Sequence, residues 1–164
     1  MLNLQEQNIT VTQGNIGLIA DTHGLVRPEA LKALQGVELI VHAGDIGKLA
    51  VLEALRDIAP VAAIRGNNDR ETWAKELPDV LKLQIGSVVF HVIHDVNDMK
   101  AEVGQSIDAV VSGHSHKPSL IERDGTLFIN PGSAGPRRFK LPVAVGKLQI
   151  IHGKIHAQII ELII

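Results

Sequence analysis

Residues 16–23 read Ile-Gly-Leu-Ile-Ala-Asp-Thr-His, an unbroken apolar run that ends on a carboxylate and an imidazole one residue apart. A continuous apolar segment of this length is what a strand covered on both faces looks like. The polar pair then falls at the strand's C-terminal end, where open α/β sheets place their sites. The same arrangement recurs downstream. Glu38-Leu-Ile-Val-His-Ala43 precedes Gly44-Asp45, Val61–Ile64 leads through Arg65 to Gly66-Asn67-Asn68-Asp69, Val88–Ile93 precedes His94, and Ala109–Val111 precedes Gly113-His114-Ser115-His116. Asp21, Asp45, Asn67, His94 and His114 follow one another at intervals of 20 to 27 residues. A strand, its crossover and the next strand need about that length, so these residues can share one rim of a sheet.

Between the strands, Pro28, Glu29 and Leu31 open a helix with Leu31 and Leu34 on one face. Leu49, Leu52, Leu55 and Ile58 form a second helical stripe that stops before Pro60. A short helical piece is expected around Arg70–Leu77. The pattern then changes to hairpins: Val80–Ile85 and Val88–Ile93 about Gly86-Ser87, Leu120–Arg123 and Leu127–Asn130 about Asp124-Gly125, and roughly 144–151 with 155–163 about Gly153-Lys154. Strand-helix units followed by hairpins suit an α/β chain of two sheets packed face to face with helices outside. The polar residues 1–14 read as an N-terminal arm or short edge strand, and 15–164 as a single domain.

Composition narrows the function. The 164 residues can bury roughly 70% of their unfolded surface. A net charge of −2, three Phe, one Trp and no Tyr give neither an electrostatic reason nor a stacking platform for nucleic acid. Cysteine is absent, so disulfides and thiolate metal sites are excluded. The start, MLNLQEQNITVTQ, lacks the basic-then-apolar pattern of a signal peptide, and no apolar run reaches the ~20 residues of a membrane span. A soluble, cytoplasmic protein is expected.

Asp, Asn and His are oxygen and nitrogen ligands for divalent cations. Two cations ~3.5–4 Å apart need three or four protein ligands each and a shared carboxylate. Asp21, His23 and His116 can form one site and Asn67, His94 and His114 the other, with Asp45 as the bridge. Such sulfur-free sets suit manganese, nickel, zinc or iron; manganese is the first expectation. His42 reads as a residue behind the ligands or a hydrogen-bonded strand residue, His91 as structural, and His152 and His156 as solvent-exposed.

The ordered set D-x-H, G-D, G-N-x-D, strand-end His and G-H-x-H resembles the calcineurin-like metallophosphoesterase superfamily. The short chain and Asn130-Pro131-Gly132-Ser133 resemble its small bacterial and archaeal phosphodiesterase branch. The resemblance spans about Ile16 to Ser133. It implies a four-layer α/β/β/α sandwich of two mixed sheets, two divalent metal ions at Asp21, His23, Asp45, Asn67, His94, His114 and His116, and hydrolysis of a small phosphate ester by metal-activated water. Asp69 resembles the acidic residue of the family's third motif and is expected to orient a neighbour rather than bind metal. Many members carry His after the metal-binding Asn; here it is Asn68, which cannot protonate a leaving alkoxide but can hydrogen-bond to phosphate. Esters with good leaving groups are therefore expected. Asp95 follows His94 where Gly is usual, and reads as a carboxylate partner for a metal-binding imidazole.

Ser133 and Arg137 are the expected substrate contacts beside Asn68, although Pro-Gly also marks a plain turn and Arg137-Arg138 a solvated pair. The contrasting reading is a metallophosphoesterase-fold protein-binding module, like the related retromer subunit; complete ligands favour the enzyme. The apolar end, Ile159–Ile164, reads as a core strand or an interface with another copy, giving a homo-oligomer.

Overall fold

The computed structural model describes residues 2–99 and 106–164, so Met1 of the expected arm and residues 100–105 of the expected domain lie outside the described residues. Two mixed sheets carry the fold. The smaller contains β2 (Asn15–Ile19), β3 (Leu39–His42) and β4 (Val61–Ala63), all parallel, with β10 (Ala144–Ile151) and β11 (Lys154–Glu161) added antiparallel in the order β11-β10-β2-β3-β4. The larger contains β1 (Leu4–Ile9), β5 (Val80–Ile85), β6 (Val88–Ile93), β7 (Ala109–Val111), β8 (Ser119–Arg123) and β9 (Thr126–Asn130), in the order β1-β5-β6-β7-β9-β8.

Alternation sorts the side chains between layers. Leu81, Leu83, Val88, Phe90, Val92 and Val111 of the larger sheet meet Ile16, Leu18, Leu39 and Val41 of the smaller in one buried cluster. The other face of the smaller sheet, with Ile19 and Ile40, is covered by α1 (Pro28–Ala33) and α2 (Leu49–Arg56) through Ala30, Leu52 and Leu55. Fully burying side chains of this size contributes about 1.5–3 kcal/mol each. The expected helix over Arg70–Leu77 is a 3-10 turn, Thr72–Glu76. Between β6 and β7 the described helical residues reduce to a second such turn, Val96–Asp98.

The polar segment before β2 is set by one carboxylate. Glu38 accepts the backbone N–H groups of Thr12, Gln13, Gly14 and Asn15 at 2.6–3.2 Å. These four bonds outweigh desolvation and hold the Glu38 pKa below its ordinary value. That contact fixes the path from β1 into β2 and so the register of the strand that delivers Asp21.

Candidate metal centre

The C-terminal ends of strands from both sheets meet at one place. Asp21 and His23 follow β2, Asp45 follows β3, Asn67–Asp69 follow β4, His94 follows β6, and His114 and His116 follow β7. Backbone bonds continue the strand pairing into these loops, with Asp21 N donating to Gly44 O and His23 N to Asp45 O, each at 3.0 Å, and Gly113 N to His94 O at 2.9 Å. The sheets are also tied across the gap: His114 N donates to Asp21 Oδ2 at 3.0 Å, and His94 Nδ1 to the Ala43 carbonyl at 2.8 Å. The latter bond places the His94 proton on Nδ1 and turns Nε2 toward the carboxylates.

Asp21 Oδ1 is the hub. It lies 3.5 Å from His116 Nε2, 3.8 Å from His94 Nε2 and 3.9 Å from His23 Nε2. Asp45 Oδ2 stands 3.2 Å from His94 Nε2 and 3.8 Å from His23 Nε2. Two triads emerge, Asp21-His23-His116 and Asp21-Asp45-His94, with ligand atoms of each within 4.8 Å of one another. Both therefore contain Asp21, while Asp45 stands near imidazoles of both. Asn67 and His114 are more open; they line, with His94 and Asp95, a cleft of about 250 Å³. His114 Nε2 lies 3.7 Å from Asp95 Oδ2, and its ring meets His94 edge-on at 5.2 Å.

Five of these residues, Asp21, His23, Asp45, His114 and His116, adopt φ between 46° and 71°. Only a few per cent of non-glycine residues do so, and such strain concentrates at functional sites. Close approach adds a further constraint. A Cβ on Gly66 would collide with the Asp45 carboxylate and backbone nitrogen, so only glycine lets the third loop pass the second.

The electrostatics are those of a site built around positive charge. Asp21 is fully buried, and burial, reinforced by Asp45 and only partly offset by His94, pushes its pKa up to about 7. For Asp45 burial acts upward too, but His94 and the Asn68 backbone N–H outweigh it and bring the pKa to about 2. Burial, then the Arg138 and His23 charges, lower His116 to about 4. Asp21 Oδ1 and His116 Nδ1 are buried without a hydrogen-bond partner. A buried carboxylate oxygen encircled by three imidazole nitrogens, and without a hydrogen-bond partner, fits a divalent cation in chemistry and in donor type.

The residues behind the ligands explain their placement. Asp69 is buried and accepts N–H bonds from Ile46 (3.0 Å), Gly47 (3.0 Å) and Gly66 (2.9 Å), joining the second and third loops. Asn68 donates its backbone N–H to Asp45 Oδ1 at 3.0 Å and its amide to Oδ2 at 3.1 Å. His42 accepts from Gly44 N at Nδ1 (3.1 Å) and stands 3.0 Å from the Thr22 hydroxyl at Nε2, while Thr22 donates to Ile46 O at 2.8 Å. Burial, then the nearby His94 charge, lowers its pKa to about 3, so it is a neutral brace with its proton on Nε2.

Two expected substrate contacts are placed differently. Ser133 is buried and donates to the Asp21 carbonyl at 3.0 Å while accepting from Gly135 N at 3.1 Å, so its hydroxyl braces the ligand loop. Arg137 is exposed, and it is the adjacent Arg138 whose charge is felt at Asp21 and His116. Sequence reading missed Asn130 as a residue of the site. Its amide donates to Gly113 O at 2.9 Å and Ser115 Oγ at 3.1 Å, and its Oδ1 accepts from Gly132 N, pinning the loop that carries His114 and His116. Its position just before Pro-Gly, at a strand end, was the available signal.

Comparison with known proteins agrees with this geometry. A family model for the calcineurin-like phosphoesterase superfamily domain matches residues 15–152. A probable metallophosphoesterase of Methanothermobacter thermautotrophicus is 35% identical over 159 residues, covering 89% of this chain and 91% of that protein. A structure described as a novel archaeal phosphodiesterase superposes with a TM-score of 0.73 at 26% identity, covering 89% of this chain and 99% of that one. Vacuolar Protein Sorting 29 from Cryptosporidium parvum shares the fold, with a TM-score of 0.70, 20% identity and coverage of 91% and 97%.

Proposed function

Because the chain belongs to the calcineurin-like phosphoesterase superfamily, we propose that it is a phosphodiesterase that hydrolyses a small phosphate ester with two divalent cations, manganese first among them. Asp21, His23 and His116 would hold one cation, Asn67, His94 and His114 the other, and Asp45 would join them. Cations held there would supply Lewis-acid chemistry, activating water and neutralising phosphoryl charge. The observation that carries this reading is the ring of three imidazole nitrogens within 3.9 Å of the buried, unpartnered Asp21 Oδ1.

The chain's own residues orient the reaction. Hydrogen bonds from Asn68 hold both Asp45 oxygens, and the second N–H of the Asn68 amide is left to reach a phosphoryl oxygen. Asp69 locks the loops that present Asp45 and Asn67. His42 and Ser133 brace the loop of Asp21 from beneath. An Asn amide has no proton to give an alkoxide, so the leaving group must depart as a stable anion or take its proton from water. Nothing in the composition or aromatic content favours nucleic acid as the substrate, and no described helix is long and apolar enough to cross a membrane.

The test is hydrolysis of bis-p-nitrophenyl phosphate by metal-stripped protein, with and without Mn²⁺, beside Asp45→Asn. Activity restored by Mn²⁺ and lost in the variant is expected. No turnover with Mn²⁺, Ni²⁺ or Zn²⁺ would overturn the reading in favour of a protein-binding module.

A further inference from the structure

The loop 136–142 leaves and re-enters the fold beside the metal ligands. At its start, a Cβ on Gly135 would run into the Asp21 and Thr22 carbonyls, so the loop is rooted directly on the ligand-bearing segment. Arg27 holds the same point, donating from Nε and Nη2 to the Gly135 carbonyl at 3.2 and 3.1 Å. At its end, Val143 bridges back to Ser133, whose hydroxyl contacts the Asp21 carbonyl. Seven residues clamped at both ends beside Asp21 keep the tip within about 12 Å of that root.

The chemistry of the loop is unlike that of the rest of the surface. Its tip reads Arg137-Arg138-Phe139-Lys140, and no Asp or Glu occurs between Asp124 and Glu161. In a chain of net charge −2 this is a local concentration of positive charge. Arg137 and Arg138 are both exposed at this tip, with Arg138 three residues from the Gly135 root and next to Phe139. Phe139 is 89% exposed and holds φ at 53°. A bulky residue in that region is a genuine outlier, and here the strain is compensated by no burial of the ring. An exposed aromatic between cations, beside a site for phosphate esters, matches the mixed charge and π-face of one ligand class: a phosphate linked to an aromatic ring system.

We propose that loop 136–142 selects the substrate, with Arg138 pairing to a phosphoryl oxygen and Phe139 stacking on an aromatic ring of the ester, so that the favoured ligands are aryl or nucleoside phosphates. This rests on the phosphodiesterase reading for its substrate but is tested by binding. A guanidinium offers a phosphate two parallel N–H donors, and a phenyl face beside it accepts any base or aryl ring without reading its edge. The ring is then a small-molecule feature, consistent with a single exposed aromatic rather than the series that a polynucleotide track needs.

Calorimetry on Mn²⁺-loaded protein separates the two contacts. Adenosine 5′-phosphate should bind at least about fivefold more tightly than ribose 5-phosphate, the increment expected of one stacked base. Phe139→Ala should abolish that ratio while leaving ribose 5-phosphate affinity unchanged, and Phe139→Trp should preserve it. Arg138→Gln should weaken both phosphates together. Equal binding of the two by wild-type protein, or a ratio that survives Phe139→Ala, would overturn the proposal. So would Phe139-dependent sedimentation with phosphatidylserine vesicles in the absence of ring discrimination, which would assign the loop to a lipid surface. If bis-p-nitrophenyl phosphate is not turned over but the ratio depends on Phe139, the phosphodiesterase reading fails and the loop assignment stands. Turnover without ring discrimination gives the converse.

Discussion

His42 allows a quantitative test of how the centre is supported. It is fully buried, neutral, and bonded at both ring nitrogens, with a folded pKa near 3 against an ordinary value of 6.5. In that window the unfolded chain binds a proton that the folded chain refuses, so stability rises with pH. The contribution is complete above 6.5 and is lost as pH falls toward 3. Between pH 7 and pH 5 the titration crosses about one and a half units below 6.5, so folding loses about 2 kcal/mol at ~1.4 kcal/mol per unit. His42→Gln retains an acceptor and a donor but cannot titrate; imperfect geometry should cost it about 1–2 kcal/mol at pH 7. Urea unfolding in chelator, followed by the fluorescence of the single tryptophan, Trp73, should show wild-type protein losing about 2 kcal/mol more than the variant over that pH range. His116, lowered like His42, and Asp21 and His94, both raised, titrate in both proteins, so the difference isolates His42 apart from its charge coupling to His94. Equal losses in the two proteins would refute the assignment of a neutral, buried His42.

Three further outcomes follow from the same geometry. Asp69→Ala strips an acceptor from three backbone N–H groups and should cost about 3 kcal/mol, seen as a melting temperature roughly 6–12 °C lower; an unchanged melt would remove Asp69 from the support of the loops. Because Asp21 has its pKa near 7 without cations, a proton must leave when Mn²⁺ enters. Affinity should therefore fall by at least about tenfold per unit as pH drops below 7, since His94, also raised, must give up its proton too, with proton release visible as buffer-dependent heats; affinity constant from pH 6 to 8 would contradict the burial argument. Aryl esters of graded leaving-group pKa should give a steep Brønsted slope, since Asn68 cannot act as an acid, and a nearly flat line would mean that another group donates the proton.

How legible this was in the sequence depended on the range of the interactions involved. β5, β6 and β7 begin and end where their apolar runs and the Gly86-Ser87 turn place them, because run composition and turn chemistry are local. The convergence of Asp21, His23, Asp45, His94 and His116 was readable because strand ends were. β1 was ambiguous: LQEQNI lies at a sheet edge with almost no burial, and its parallel pairing with β5 is made across more than seventy residues. Left-handed backbone at five candidate ligands could not be read as glycine, since Asp and His stand where such angles favour it. Ser133 was read toward the phosphate, but its hydroxyl is held inward by Asp21 O and Gly135 N. Arg137 and Arg138 are equivalent in sequence; only the loop backbone decides which charge acts on Asp21.

The strained ligand loops bear on where the centre gets its order. A left-handed residue without glycine costs roughly 1–2 kcal/mol, so five of them together cost several kcal/mol before any charge repulsion is counted. Burying Asp21 without a cation adds to that cost. Cation binding can relieve the repulsion but not the backbone strain, because the angles persist whatever the side chains hold. The compensation must come from what grips the loops: the pairing that continues past β2 and β3, the Asp69 and Asn130 bonds, His42 with Thr22, and the two cores on either face of the smaller sheet. The protein matrix thus sets the geometry of the candidate ligands before any cation would enter, so substitutions at Asp69 or His42 should disturb the centre while leaving every candidate ligand in the sequence.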